Sequence, residues 1–98
     1  MFIKFKGKDT KLTTTSIIEQ KLFRQGESAG WLLSLHINGN FNAPELDSML
    51  TEESIGEITL FGESEVSTTI SGYQKVTSCV VRYSDENTVA EIQLTKGV

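Results

Sequence analysis

Few side chains in this sequence could do acid–base or nucleophilic chemistry. His36 is the only histidine and Cys79 the only cysteine. A cysteine protease-like pair would need the two to meet in space, with the thiol held as a thiolate. His36 sits in Trp31-Leu-Leu-Ser-Leu-His-Ile37, on the opposite parity from Trp31, Leu33, Leu35 and Ile37. A solvent-facing strand residue is the expected role for it. Cys79 lies in Thr77-Ser-Cys-Val-Val81, where apolar neighbours would raise its pKa and make it a small core hydrophobe. A metal centre of the usual nitrogen and sulfur type wants several such ligands. The acids fall at expected turns, as Glu52-Glu53, Glu63-x-Glu65 and Asp85-Glu86, without the ligand spacing of a calcium loop. Gly26 and Gly30 are followed by Trp31, not by the Lys-Ser/Thr of a phosphate loop. The expectation is therefore no catalytic residue, no metal and no cofactor.

The elements that would position these residues are mostly strands. Lys75–Thr95 reads as a hairpin of two arms rich in β-branched residues. Folding it about Glu86-Asn87 sets Tyr83 opposite Ala90, Val81 opposite Ile92 and Cys79 opposite Leu94, all on one inner face. Residues 31–37 form a strand by perfect period two, with a loop expected over 25–30. A further strand is expected over 55–61, with Ile58 and Leu60 on one side. Residues 66–73 form a polar outer or edge strand, with Val66, Thr68 and Ile70 sharing a face. Residues 1–6 form a strand whose inner face is Ile3 and Phe5. Helix is expected over 42–51: Asn42 caps, Glu45 completes an Asn-x-x-Glu box, and Leu46, Met49 and Leu50 make one stripe. Residues 11–24 are expected to be a strand, with a helical alternative. Thr13-Thr-Thr-Ser16 favours strand, whereas Ser16-x-x-Glu19 with Ile18 and Leu22 would suit two helical turns.

These elements predict a single α+β domain over residues 1–98, mainly β. An antiparallel sheet should curl into a small barrel or sandwich, with one short helix at about 42–51. At 98 residues the core must be modest. Nine basic against thirteen acidic residues give a net charge of −4, which argues against nucleic acid as a partner. Lys4, Lys6, Lys8 and Lys11 cluster near the start and read as outward lysines of an edge strand. The N-terminus shows no signal peptide or membrane span, so cytoplasmic synthesis is expected.

The C-terminal half carries a resemblance. Ile55-Gly-Glu-Ile-Thr-Leu-Phe61, Ile70-Ser-Gly-Tyr73, Val76-Thr-Ser-Cys-Val-Val-Arg-Tyr83 and Val89-Ala-Glu-Ile-Gln-Leu94 follow a strand, a turn, a Gly-Tyr element and a final hairpin. In this, residues 55–96 resemble small β proteins among the virion structural proteins of bacteriophages and prophages of Gram-positive bacteria. The resemblance implies a non-enzymatic virion component, tail- or capsid-associated, with protein partners that are copies of itself or neighbouring virion subunits. From the residues alone, the polar strand offers backbone groups to another chain, with Val66, Thr68, Thr69, Ile70 and Ser71 as the expected contact. A cytoplasmic peptide- or protein-binding module using a sheet edge is the alternative.

Overall fold

The computed structural model describes residues 1–9, 11–62, 67–83 and 87–97. Seven strands form one antiparallel sheet: β1 (Phe2–Phe5), β2 (Leu12–Arg24), β3 (Glu27–Gly39), β4 (Glu57–Phe61), β5 (Ser67–Ser71), β6 (Lys75–Tyr83) and β7 (Thr88–Lys96). Helices α1 (Ala43–Met49) and α2 (Glu52–Ile55) join β3 to β4. The order across the sheet is β5-β4-β1-β2-β3-β7-β6.

The sheet curls strongly, and the connection from β5 to β6 shows why it must. These strands lie at opposite ends of the order, so a flat sheet would hold them about 29 Å apart at the usual strand spacing. Only Gly72, Tyr73 and Gln74 link them, and that chain reaches roughly 14 Å at most. The sheet therefore folds its two ends towards each other. Backbone bonds fix the crossing: Gly72 N–H donates to the Gly56 carbonyl at 3.0 Å, and Gln74 N–H to the Thr95 carbonyl at 3.1 Å. Lys96 Nζ adds a bond to the Ser71 carbonyl at 3.0 Å. The expected barrel does not close, because β5 and β6 are not paired with each other. Nor, among the described residues, is there a second sheet to complete a sandwich; one bent sheet wraps the core.

One face of the sheet supplies that core. Ile3, Phe5, Leu33, Leu35, Ile37, Ile58, Ala90, Ile92 and Leu94 are all essentially inaccessible to solvent. Their alternation with more accessible, mostly half-buried neighbours is the period-two pattern of a strand with one buried face. Helix α1 closes over this face with Leu46 and Met49. Its start is as expected, with Asn42 Oδ1 accepting from Glu45 N–H at 2.9 Å. It is followed by α2, which buries Ile55 and Ser54 and is capped by Thr51. Ile55 thus belongs to a helix and not to the strand expected at 55–61. Thr51-Glu-Glu-Ser is a second cap signal that runs against the strand reading of Ile55.

Residues 12–24 are one strand, as the threonine-rich approach favours, so the Ser16-x-x-Glu19 box is not used. Several other local expectations need correction. The loop at 25–30 shrinks to a turn at Gln25-Gly26, with Gly30 inside β3 at φ 107°. A Cβ at Gly30 would run into the Lys96 carbonyl, so glycine there permits the close approach of β7. Strand β1 lies between β4 and β2 and is no edge, so its lysines do not guard one. Tyr73 is not in a strand: it leaves β5 and enters the core, fully buried. The final hairpin pairs Cys79 with Ile92, Val81 with Ala90 and Tyr83 with Thr88, two residues from the expected register. A shift of two keeps each side chain on its face, so the face assignment survives.

Candidate functional site

His36 and Cys79 do not meet. His36 lies between Ser16 and Glu91 in the ladder, flanked by the buried Leu35 and Ile37, and so projects from the outer face. Cys79 pairs with Ile92 on the opposite, core-bearing face. A sheet separates them, which removes the nucleophile–base pair. Cys79 is also exposed, contrary to the expectation of a core residue. It sits on the last strand, where the core face runs out. Partial burial and the nearby Asp47 carboxylate still push its thiol pKa up.

On the outer face, His36 borders a shallow groove of about 330 Å³ with Ile18, Ser34, Val80, Glu91 and Gln93. The carboxylate opposite His36 is already engaged, since Glu91 Oε1 accepts from Arg82 Nη1 at 3.1 Å. A larger concavity of about 720 Å³ lies between the β1–β2 turn and α1. Several of its polar groups are also committed. Lys8 Nζ donates to Ser48 Oγ at 2.9 Å, Asn42 caps α1, and Asn38 accepts from Asn87. Lys11 Nζ stands 4.7 Å from the centre of the Phe61 ring. The Lys8–Ser48 contact ties the turn to the helix. Among the described residues, no group of three or more His, Cys, Asp or Glu side chains is placed to hold a metal.

The polar contact of most consequence joins the buried Tyr73 to the exposed Glu19. The phenol donates to Glu19 Oε2 at 2.7 Å. Burial first, and then the Glu19 carboxylate, raise the phenol pKa far above its ordinary value. The bond ties the β5–β6 connection to the middle of β2, so its role is to hold the curl.

What the sheet leaves open is backbone. In an antiparallel strand, alternate residues turn both N–H and C=O to the same side. Strand β5 ends the sheet on one side and β6 on the other, so each presents such a row outward. A third row belongs to β2, which pairs with β1 only at Leu12 and Thr13, with Thr14 N–H reaching Met1 O. Beyond that its far side is unpaired up to Arg24, among the described residues. The three rows differ in character. On β2, Glu19, Lys21 and Arg24 are exposed and bulges interrupt the ladder near both ends. On β5, Ser67, Thr68, Thr69 and Ser71 are exposed and uncharged, while Ile70 packs against the core. On β6, Val80 and Tyr83 are exposed, and a bulge falls between Val76 and Ser78.

No family model, no curated protein sequence and no solved structure matches this chain. The edges are therefore read from their own chemistry. Of the residues expected at a subunit contact, Thr68, Thr69, Ile70 and Ser71 lie together on β5, and Val66 is outside the described residues. The sequence missed the two other open rows. The sign for β6 is its uncharged Thr77–Val81, although the period-two pattern puts Cys79 and Val81 of that run on an inner face. The open half of β2 depends on how short β1 is, and nothing in residues 12–24 announces it. Among the described residues, no helix is long and apolar enough to cross a membrane.

Proposed function

We propose that this protein is a non-enzymatic structural or assembly component that acts through subunit contacts at its open strand edges. The outer edge of β5, at Thr68, Thr69, Ile70 and Ser71, is the contact we assign first. The observation that carries this reading is the position of β5. It is the last strand of the sheet, and an exposed, uncharged run of hydroxyl side chains accompanies a backbone row that Lys96 Nζ engages at the Ser71 carbonyl and that is open over Ser67–Ile70. Natural edge strands usually carry charge, proline or a bulge to discourage pairing with other chains. Described β5 has none of these. Backbone pairing along such an edge supplies association without a pocket or a catalytic group.

The narrower reading, a bacteriophage or prophage virion component, rests on the resemblance of residues 55–96. Size-exclusion chromatography with light scattering, run over a range of concentrations, tests the broader one. Mass above that of one chain, rising with concentration, is expected. A strict monomer at high concentration contradicts self-association. If that monomer nevertheless binds extended peptides at β5, the edge serves a peptide-binding module instead.

A further inference from the structure

The opposite edge of the sheet has the features of a self-complementary contact, and we infer that β6 pairs with β6 of a second copy. The inference rests on the self-association reading above, and it names a different edge and a defined geometry.

Strand β6 pairs with β7 on one side only. From Ser78 to Tyr83 its ladder is regular, and this stretch contains no acidic residue and one basic residue, Arg82. Val80, 45% exposed, lies on the outer face opposite Glu91. Val81 lies on the inner face and packs against the rim of the core, and Tyr83 beyond it is 63% exposed. The core thus reaches this edge and stops without a cover.

Symmetry restricts how two copies can meet. A twofold axis perpendicular to the sheet makes adjoining edge strands antiparallel and keeps each face continuous with itself. The residue on the axis then meets its own copy. With the axis at Val80, Val80 meets Val80, Cys79 meets Val81 of the second copy, and Ser78 meets Arg82. The first two pairings bury apolar side chains on both faces, which cross-strand contacts reward. The third avoids opposing like charges, and each Arg82 is already neutralised by Glu91 of its own chain. Lys75 lies beyond the bulge and outside the regular span. The product is one continuous sheet through two copies. A single strand edge buries less than a standard interface, so the dimer should be concentration-dependent.

The occupant is a second β6 and not a β5 edge, for a reason of closure. Pairing β6 with β5 of the next copy would be head-to-tail and would propagate into rings or filaments. Pairing β6 with itself closes that contact between two copies.

Cys79 makes the geometry measurable. In this register the two Cys79 residues are diagonal neighbours on one face, about 7–8 Å apart. A short bismaleimide at pH 8 should therefore give a covalent dimer with the intact chain, and Cys79→Ser should give none. Val80→Lys should lower the dimer yield at least tenfold at equal concentration, with the fold checked by circular dichroism. Ser78→Glu faces Arg82 of the second copy and should raise the yield several-fold, so a poorly folding Val80→Lys does not end the test. Association in solution with no Cys79 cross-link, or a yield unmoved by both variants, overturns the β6 contact and leaves the wider reading standing. A strict monomer overturns both.

Discussion

The two ends of the sheet are built from the same kind of element and treated differently. Strand β5 is five residues of hydroxyl-rich edge, with only Ile70 leaning on the core. Strand β6 is nine residues, carries valines on both faces, and is kinked by a bulge near its start. A three-residue strap joins them, with Tyr73 buried between the exposed Gly72 and Gln74, so neither can move far without the other. The lesson concerns how an open sheet manages its edges. One edge is short and polar, and the other is long and partly protected by the bulge and Arg82. Both remain available, whereas closing the barrel would have removed them.

The strap is where the comparison is most easily broken. Tyr73→Ala empties a fully buried aromatic site and should cost about 3–5 kcal/mol, as for other large core aromatics. Denaturant unfolding would show it as a lower midpoint. Once the strap slackens, the two edges should also exchange amide protons at similar, faster rates. An unchanged midpoint would mean that the curl is held by something else.

Proline scanning of β5 should have the next largest effect. Thr68 and Thr69 are neighbours, so their amides point to opposite sides, one to β4 and one outward. Proline at the inward position removes a ladder bond and leaves an acceptor unpaired, at a cost of about 1–3 kcal/mol. Proline at the outward position should leave stability nearly unchanged and impair association. Thermal melts and light scattering on both variants would separate the two. If both lose only stability, β5 is a structural edge and not a contact.

Tyr73→Phe should be milder, losing about 1 kcal/mol with the bond to Glu19. It carries a distinct pH signature. The folded phenol has a raised pKa, so its contribution to stability is fully present below the unfolded value of about 10. That contribution is lost as pH rises from there towards the folded value. Wild-type stability should therefore fall above about pH 10, and the phenylalanine variant should fall less steeply. Identical slopes in the two proteins would remove Tyr73 from the account.

The smallest effects belong to the surface of β6. Arg82→Ala breaks an exposed ion pair and should change stability by less than about 1 kcal/mol. Cys79→Ser should change it by about 0.5 kcal/mol or less, as for other exposed positions. A larger loss for Cys79→Ser would show that the thiol packs as the sequence pattern suggests.

That last contrast shows what the sequence could convey. Period-two alternation identified the buried faces of 31–37 and of the final hairpin, because burial on one face leaves a direct imprint on residue type. It also marked 67–71 as polar and outer. It did not reveal where a strand stands in the order. Cys79 and Val81 have the pattern of an inner face, and they occupy one, but β6 is last in the sheet and the cover ends before Cys79. The N-terminal lysines look like edge protection, yet β1 is flanked on both sides, since pairing with β4 and β2 is decided by long-range contacts. Tyr73 was read as the end of a strand because its inward turn is forced by the curl, which is a property of the whole sheet. Gly72, at φ 92°, was the local mark of that turn.

Hydrogen exchange along β5, compared between the dilute chain and its associated form, decides whether subunits meet at this edge. In the dilute chain, alternate amides of 67–71 should be protected by β4, and those between them should exchange freely. On association the free set should become protected while the first set changes little. If every amide of 67–71 is equally protected in both states, the edge is not where subunits meet, and the assignment of function to β5 is wrong.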